Sequence, residues 1–273
     1  MTINCKGTLI DLDTPKVMGI LNLTPDSFYD GGSYEKMDDA LSQVEKMLKE
    51  GATFIDVGSY SSRPGAVHIS ESEELNRLIP VVQKLVENFP EILLSIDTFR
   101  ARVAKTAINE GASIVNDISA GNLDDEMVQT VGELRVPYIM MHMRGTPQTM
   151  KTLTHYKDVT KEVIQYFSER IAVARSHKIN DVIIDPGFGF AKNTEQNFEL
   201  LAQLNHLQML DVPVLAGLSR KSMIYKTLNV TSKDALNGTT ALNMVALQKG
   251  AKILRVHDVR EAVECVMLYE ALS

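Results

Sequence analysis

The chain has 273 residues, enough to bury a full core and the ordinary length of one α/β barrel. At 44% hydrophobic and 23% charged it reads as globular, and a formal charge of −7 without a Lys/Arg block argues against nucleic acid as a partner. Its two cysteines, Cys5 and Cys265, lack metal or disulfide spacing, and the absence of a long apolar run argues against a signal peptide or membrane span, so a cytoplasmic enzyme or binding protein is expected.

Residues 4–11 alternate weakly and predict a short N-terminal strand pair or plug. The first core strand is 17–22 (VMGILN), followed by a polar loop at 24–32 and an amphipathic helix over 37–49. The second, 54–58 (FIDVG), leads into a polar loop at 59–66 and a helix over 72–87. The third, 93–97 (LLSID), is followed by Thr98, a candidate cap for a helix over 103–109. The fourth strand is 114–117 with a helix at 125–132, and the fifth is 138–142 with a long helix over 159–176. The sixth, 182–185 (VIID), is β-branched and stopped by Pro186 and Gly187, as a strand covered on both faces would be. Its helix is expected at 195–204. The seventh, 214–217, reaches SRKS at 219–222 and a helical region to 248, interrupted near Asn229. The eighth, 253–257, is closed by a helix over 259–271. This alternation predicts parallel pairing and a closed (β/α)8 TIM barrel, a single domain over 1–273, with a doubly wound open sheet as the alternative.

In such a barrel the functional face lies at the C-terminal strand ends. Those ends carry Asn22, Asp56, Asp97, Asn116, His142, Asp185, Lys221, and Arg255 with His257. Asp185 alone reads as ordinary Asp-Pro-Gly turn chemistry, and it is the recurrence that speaks for a site. Arg255 and His257 are two apart, share a face and suit a phosphate or pyrophosphate. An isolated Arg255 would sooner pair with Asp258 or another carboxylate. Lys221 and Ser222 open a helix whose free N–H groups favour an anion. The long loops after the first two strands are either binding segments or solvated surface, and Arg63, between Ser62 and Pro64, could carry charge over the mouth. Gly187 and Gly189 allow a tight turn beside Asp185. His68, His155, His177 and His206 lack ligand spacing and are expected at the surface.

The runs MGILNLTPDSF from Met18 to Phe28, RPG from Arg63, SIDT from Ser95, Asn116 with Asp117, MHM from Met141, DPGFGF from Asp185 to Phe190, SRKS from Ser219 and RVHD from Arg255 to Asp258 occur in order from the first strand to the last. With these runs the chain resembles the dihydropteroate synthase family of pterin-binding barrels. The second loop departs: family members commonly read GESTRPG, and this chain has Ser59, Tyr60, Ser61 and Ser62 before Arg63. Ser62 keeps the hydroxyl of Thr.

The resemblance implies a transferase that condenses 6-hydroxymethyl-7,8-dihydropterin pyrophosphate with p-aminobenzoate, giving 7,8-dihydropteroate and pyrophosphate in folate biosynthesis. It places Asp97, Asn116, Asp185, Lys221 and Arg255 against the pterin. Asn22, Arg63, Arg255 and His257 would surround the pyrophosphate, with Mg2+ held partly by Asn22. Phe28, Ser62, Pro64, Phe190, Lys221 and Ser222 would hold p-aminobenzoate. Arg63, Lys221, Arg255 and His257 would carry catalysis, drawing pyrophosphate away from a pterin cation that the aryl amine then attacks. Inhibition by sulfonamides and a homodimer formed near the C-terminal helices are also expected. The alternatives are a methyltetrahydrofolate:corrinoid methyltransferase, which needs no pyrophosphate clamp, and a non-catalytic pterin-binding paralogue, which the altered second loop would suit.

Overall fold

The computed structural model describes residues 1–23, 34–61 and 68–272. Two short strands, β1 (Thr2–Cys5) and β2 (Thr8–Asp11), pair antiparallel ahead of the repeating part. Then come β3 (Lys16–Asn22), β4 (Phe54–Gly58), β5 (Leu94–Asp97), β6 (Ile114–Asp117), β7 (Tyr138–Met141), β8 (Val182–Asp185), β9 (Leu215–Ala216) and β10 (Ile253–Val256). Among the described residues these form one parallel sheet in the order β8-β7-β6-β5-β4-β3-β10-β9. A parallel bridge between Ile184 and Val214, with Ile184 N donating to Pro213 O at 3.0 Å, joins the two edges. The sheet is therefore a barrel and not the open, doubly wound alternative.

The helices between the strands are α1 (Tyr34–Lys49), α2 (Glu71–Asn88), α3 (Ala101–Asn109), α4 (Met127–Leu134), α5 (Val159–Ser176), α6 (Thr194–Ala202), α7 (Ser222–Leu228), α8 (Leu236–Gln248) and α9 (Val259–Glu270). Three of them start on a polar side chain that caps the first turn. Ser70 accepts from Glu73 N ahead of α2, Asp158 from Lys161 N ahead of α5, and Asn193 with Gln196 forms a capping box on α6. The break expected near Asn229 is real, because that residue takes φ +54° and ends α7. Thr98 is not a helix cap. Helix α3 starts three residues later, and its Ala101 N–H is taken by Asp124 Oδ2 from another element at 2.7 Å, which leaves Thr98 Oγ1 free to donate to buried Glu74 at 2.7 Å. The seventh strand is two residues rather than the four expected.

Alternation along each strand sorts the side chains into layers. Ile55, Val115, Ile184 and Leu254 join the large core between barrel and helices. Their neighbours Phe54, Ile114, Ile183 and Ile253 belong to a separate cluster inside the barrel. Ile3, Cys5 and Leu12 of the N-terminal hairpin complete that cluster and plug one end. Two residues further along the same strands stand Asp56, Asn116, Asp185 and Arg255. The polar groups thus sit on an apolar floor. Gly19 brings β3 against the outer helices: a Cβ there would lie 2.6 Å from Met47 Sδ and 3.1 Å from a Val259 methyl.

Candidate active site

Asp56 is fully buried and organises one half of the mouth. Its Oδ2 accepts Arg255 Nε at 2.6 Å and Asn116 Nδ2 at 3.1 Å, and Arg255 Nη2 donates to Asp97 Oδ2 at 2.7 Å. The guanidinium therefore reaches past β3 to acids on β4 and β5. Asp258 is not its partner, because both carboxylate oxygens of Asp258 take Arg220 at 2.8 Å. Burial works against the Arg255 charge, but Asp56 and Asp97 outweigh it and hold the group charged. Burial pushes the Asp97 carboxyl up to about 7, with Arg255 opposing and Asp56 adding to the rise. Asp56 Oδ1 is buried and receives no hydrogen bond from the described residues, so the layer keeps a spare acceptor.

Asp185 and Lys221 form the other half. Asp185 Oδ1 accepts Gly187 N at 2.8 Å, which is the turn chemistry its sequence suggests. Its Oδ2 faces the space left by Gly217, where a Cβ would stand 3.6 Å from that oxygen and 3.7 Å from Lys221 Nζ. Lys221 Nζ donates to Phe188 O and lies 5.1 Å from the centre of the Phe190 ring. Burial raises the Asp185 carboxyl, against the pull of Lys221, and lowers the Lys221 ammonium to about 8, against the pull of Asp185. Ser222 opens α7, whose start has no side-chain cap. His257 is exposed beyond the end of β10; its backbone N–H donates to Ser219 Oγ at 3.2 Å, and Ser219 Oγ lies 3.0 Å from His257 Nδ1. Asn22 is exposed at the end of β3.

His142 departs from the expected ring. Strand β7 ends before it, and its ring is buried beneath the turn that follows β8, edge-on to Tyr166 at 4.8 Å. Its Nδ1 lies 2.9 Å from Lys192 Nζ. Burial, with the Lys192 and Arg144 cations, holds the imidazole neutral. Lys192 was not singled out by the sequence, although a lysine two residues past DPGFGF was there to be seen. Asp56 was recognised as a strand end, but its link to Arg255 needs the barrel closed. His68, His155, His177 and His206 are exposed, as expected.

Phe28, Ser62, Arg63 and Pro64 lie outside the described residues. Tyr60, where the second loop departs from the resembled pattern, is described and mostly buried. Its hydroxyl lies 3.2 Å from His68 Nδ1 and accepts Gln148 Nε2 at 3.1 Å, while its ring meets Phe99 edge-on at 5.0 Å. It thus ties the second loop's described flanks to the connector after β7.

Residues 18–257 match the family described as pterin binding enzyme. A dihydropteroate synthase of Escherichia coli K12 is 43% identical over 99% of this chain and 96% of its own length. The chain belongs to the dihydropteroate synthase family. Membership makes it an enzyme, a transferase. Among solved members, a Yersinia pestis dihydropteroate synthase in complex with a sulfonamide drug superposes with a TM-score of 0.93 at 40% identity, covering 100% of this chain and 99% of that one. A Xanthomonas albilineans dihydropteroate synthase with 4-aminobenzoic acid gives 0.91 at 40% identity, covering 99% and 97%. Against that family background, the mouth offers carboxylates, an amide and two cations on a dry floor, suited to a flat heterocycle with alternating donors and acceptors.

Proposed function

We propose that this chain condenses 6-hydroxymethyl-7,8-dihydropterin pyrophosphate with p-aminobenzoate, and that the polar layer over the barrel floor is its pterin pocket. The observation that carries the reading is the Arg255 guanidinium held between Asp56 and Asp97, opposite the Asp185–Lys221 pair. Asp97, Asn116 and Asp185 read the pterin edge, Lys221 meets a pterin acceptor, and Arg255 lies against the ring. A missing partner in so buried a layer leaves polar groups unpaired, at about 1–3 kcal/mol each.

Pyrophosphate leaves when the bond between its bridging oxygen and the pterin methylene carbon breaks, the bonding pair going with the oxygen. By this assignment Arg63, Arg255 and His257 meet the departing group as charged or hydrogen-bond-donating side chains. Preformed charge aimed at the departing oxygens lowers the barrier without reorganisation. The aryl amine then bonds to the methylene carbon and loses a proton, so no side-chain nucleophile is needed. Phe190, Lys221 and Ser222, with Phe28, Ser62 and Pro64, hold the aryl acid, and sulfonamides compete for that place.

Mg2+ fits the donor set in one respect: Asn22, an exposed residue at the strand end, carries an amide oxygen of the kind this ion takes, and the ion needs few protein ligands when phosphate and water supply the rest. When bound it would neutralise charge on the departing pyrophosphate. Among the described residues no helix is long and apolar enough to cross a membrane. Exposed Met267, Leu268 and Leu272 at the end of α9 support a homodimer through that region.

The decisive experiment is pyrophosphate release from purified protein with Mg2+ and both substrates. Release that depends on p-aminobenzoate and yields dihydropteroate supports the reading. Pterin binding without release would move the assignment to a non-catalytic relative.

A further inference from the structure

The turn after β8 is folded around a buried ammonium that the reaction as assigned does not use. Lys192 Nζ lies 2.9 Å from His142 Nδ1, 3.0 Å from Gly187 O and 3.1 Å from Phe190 O. A lysine ammonium has three donors, and three acceptors surround this one. The backbone turns back on itself to reach it, with positive φ at Gly187, Gly189 and Ala191. At Gly187 a Cβ would lie 2.1 Å from His142 O, so the turn is pressed onto the end of β7. Asn197 holds the other side, accepting Gly189 N at 2.7 Å and donating to Lys192 O at 3.3 Å. The carbonyl between the two glycines, Phe188 O, is the one that takes Lys221 Nζ.

We infer that Lys192 is a positioning residue for Lys221: by gathering Gly187 O, Phe190 O and His142 Nδ1 it sets where the turn offers Phe188 O, and so where Lys221 and the Phe190 ring meet the substrates. This rests on the pocket assignment for Lys221 made above. With the His142 proton on Nε2, the three-acceptor cage suits the charged form of Lys192. A neutral amine keeps two donors, leaving one acceptor of the cage unmatched unless His142 moves its own proton to Nδ1.

The ionisable groups facing Lys192 are His142 at the end of β7, Arg144 just beyond it, Asp185 on β8 and Lys221 ahead of α7. Burial lowers the Lys192 ammonium to about 7, with Asp185 opposing, and Lys221 and Arg144 adding to the fall. The sign follows: the cage is intact below that pH and loses a donor above it. Positioning of Lys221 should therefore weaken as the pH rises across neutrality.

The test compares Lys192→Met with the wild-type enzyme in kcat for pyrophosphate release at pH 6 and pH 9. At pH 6 the variant should be slower by about tenfold, the scale of a small misplacement of a reacting group. At pH 9, where wild-type Lys192 is neutral too, the two rates should converge. Lys192→Arg, whose charge persists across this range, should shrink the wild-type step near neutrality to the part that Asp97 and Lys221 set, and serves alone if Lys192→Met does not fold. A rate ratio equal at both pH values would overturn the inference, because a merely structural loss does not follow the Lys192 proton. A step near neutrality as large in Lys192→Arg as in the wild type would overturn it as well. If the wild-type protein binds pterin pyrophosphate but releases none, the synthase reading fails separately, and the same ratio is then read in Kd for that ligand.

Discussion

The two ends of the barrel interior are built from the same strands, one pleat apart. Phe54 and Asp56, Ile114 and Asn116, Ile183 and Asp185, Ile253 and Arg255 are each two residues apart and face the same way. The lower member of each pair joins the sealed apolar cluster, and the upper member joins the polar mouth. The difference teaches that the floor is part of the site's chemistry. Because water is excluded from below, Asp97 rises to about 7 and Lys221 falls to about 8, the poised range in which small contacts decide protonation.

The comparison can be broken hardest from the floor. Phe54→Ala should cost about 3–5 kcal/mol in urea unfolding, through lost burial and a cavity. Pterin affinity of the folded fraction should change far less; equal damage to both would mean that floor and mouth are not separable layers. At the mouth, Lys221→Ala should cut turnover by about 10²–10³ with the unfolding midpoint held, the scale of losing one preorganised donor. Wild-type turnover in that variant would remove Lys221 from the pocket. Asp185→Asn should weaken pterin pyrophosphate binding by roughly 1–3 kcal/mol, seen by calorimetry. Raising the pH through about 8 should depress wild-type turnover further, since a lysine is charged below its folded pKa and neutral above it. A flat profile from pH 7 to 10 would show that the ammonium is not needed. The smallest effect is expected from Tyr60→Phe, which loses the contacts to His68 and Gln148 and about 0.5–1.5 kcal/mol of stability.

Most of the mouth was legible because each apolar run stops at a polar residue, and period-two alternation carries that residue to the inner face. Asp97, Asn116 and Asp185 follow from this rule alone, and Arg255, one residue inside its strand, follows from the alternation with Ile253. What stayed hidden depends on backbone shape after the strands end. His142 continues its run as if it were a strand end, yet β7 stops at Met141 and the ring turns beneath the next turn. Lys192 reaches it from a turn in which Ala191 adopts φ +48°, a conformation that no single sequence announces for alanine. Thr98 looked like a cap because sequence shows only local partners, whereas Asp124 reaches Ala101 from 23 residues away. The partners of Arg255 were ambiguous for the same reason: Asp258 is near in sequence, but closure of the barrel brings Asp56 and Asp97.

Strand β9 has two residues, and a single bridge between Ile184 and Val214 seals it to β8. This seam stands beside Asp185 on one side and leads to Gly217 and Lys221 on the other. Amide hydrogen exchange would find it the softest staves of the cask, with the Ile184 N–H trading its proton sooner than amides in the β3–β4 pairing. A ligand that spans Asp185 and Lys221 would act as a hoop across that joint, and slowed exchange at Ile184 would report occupancy without any chemistry taking place.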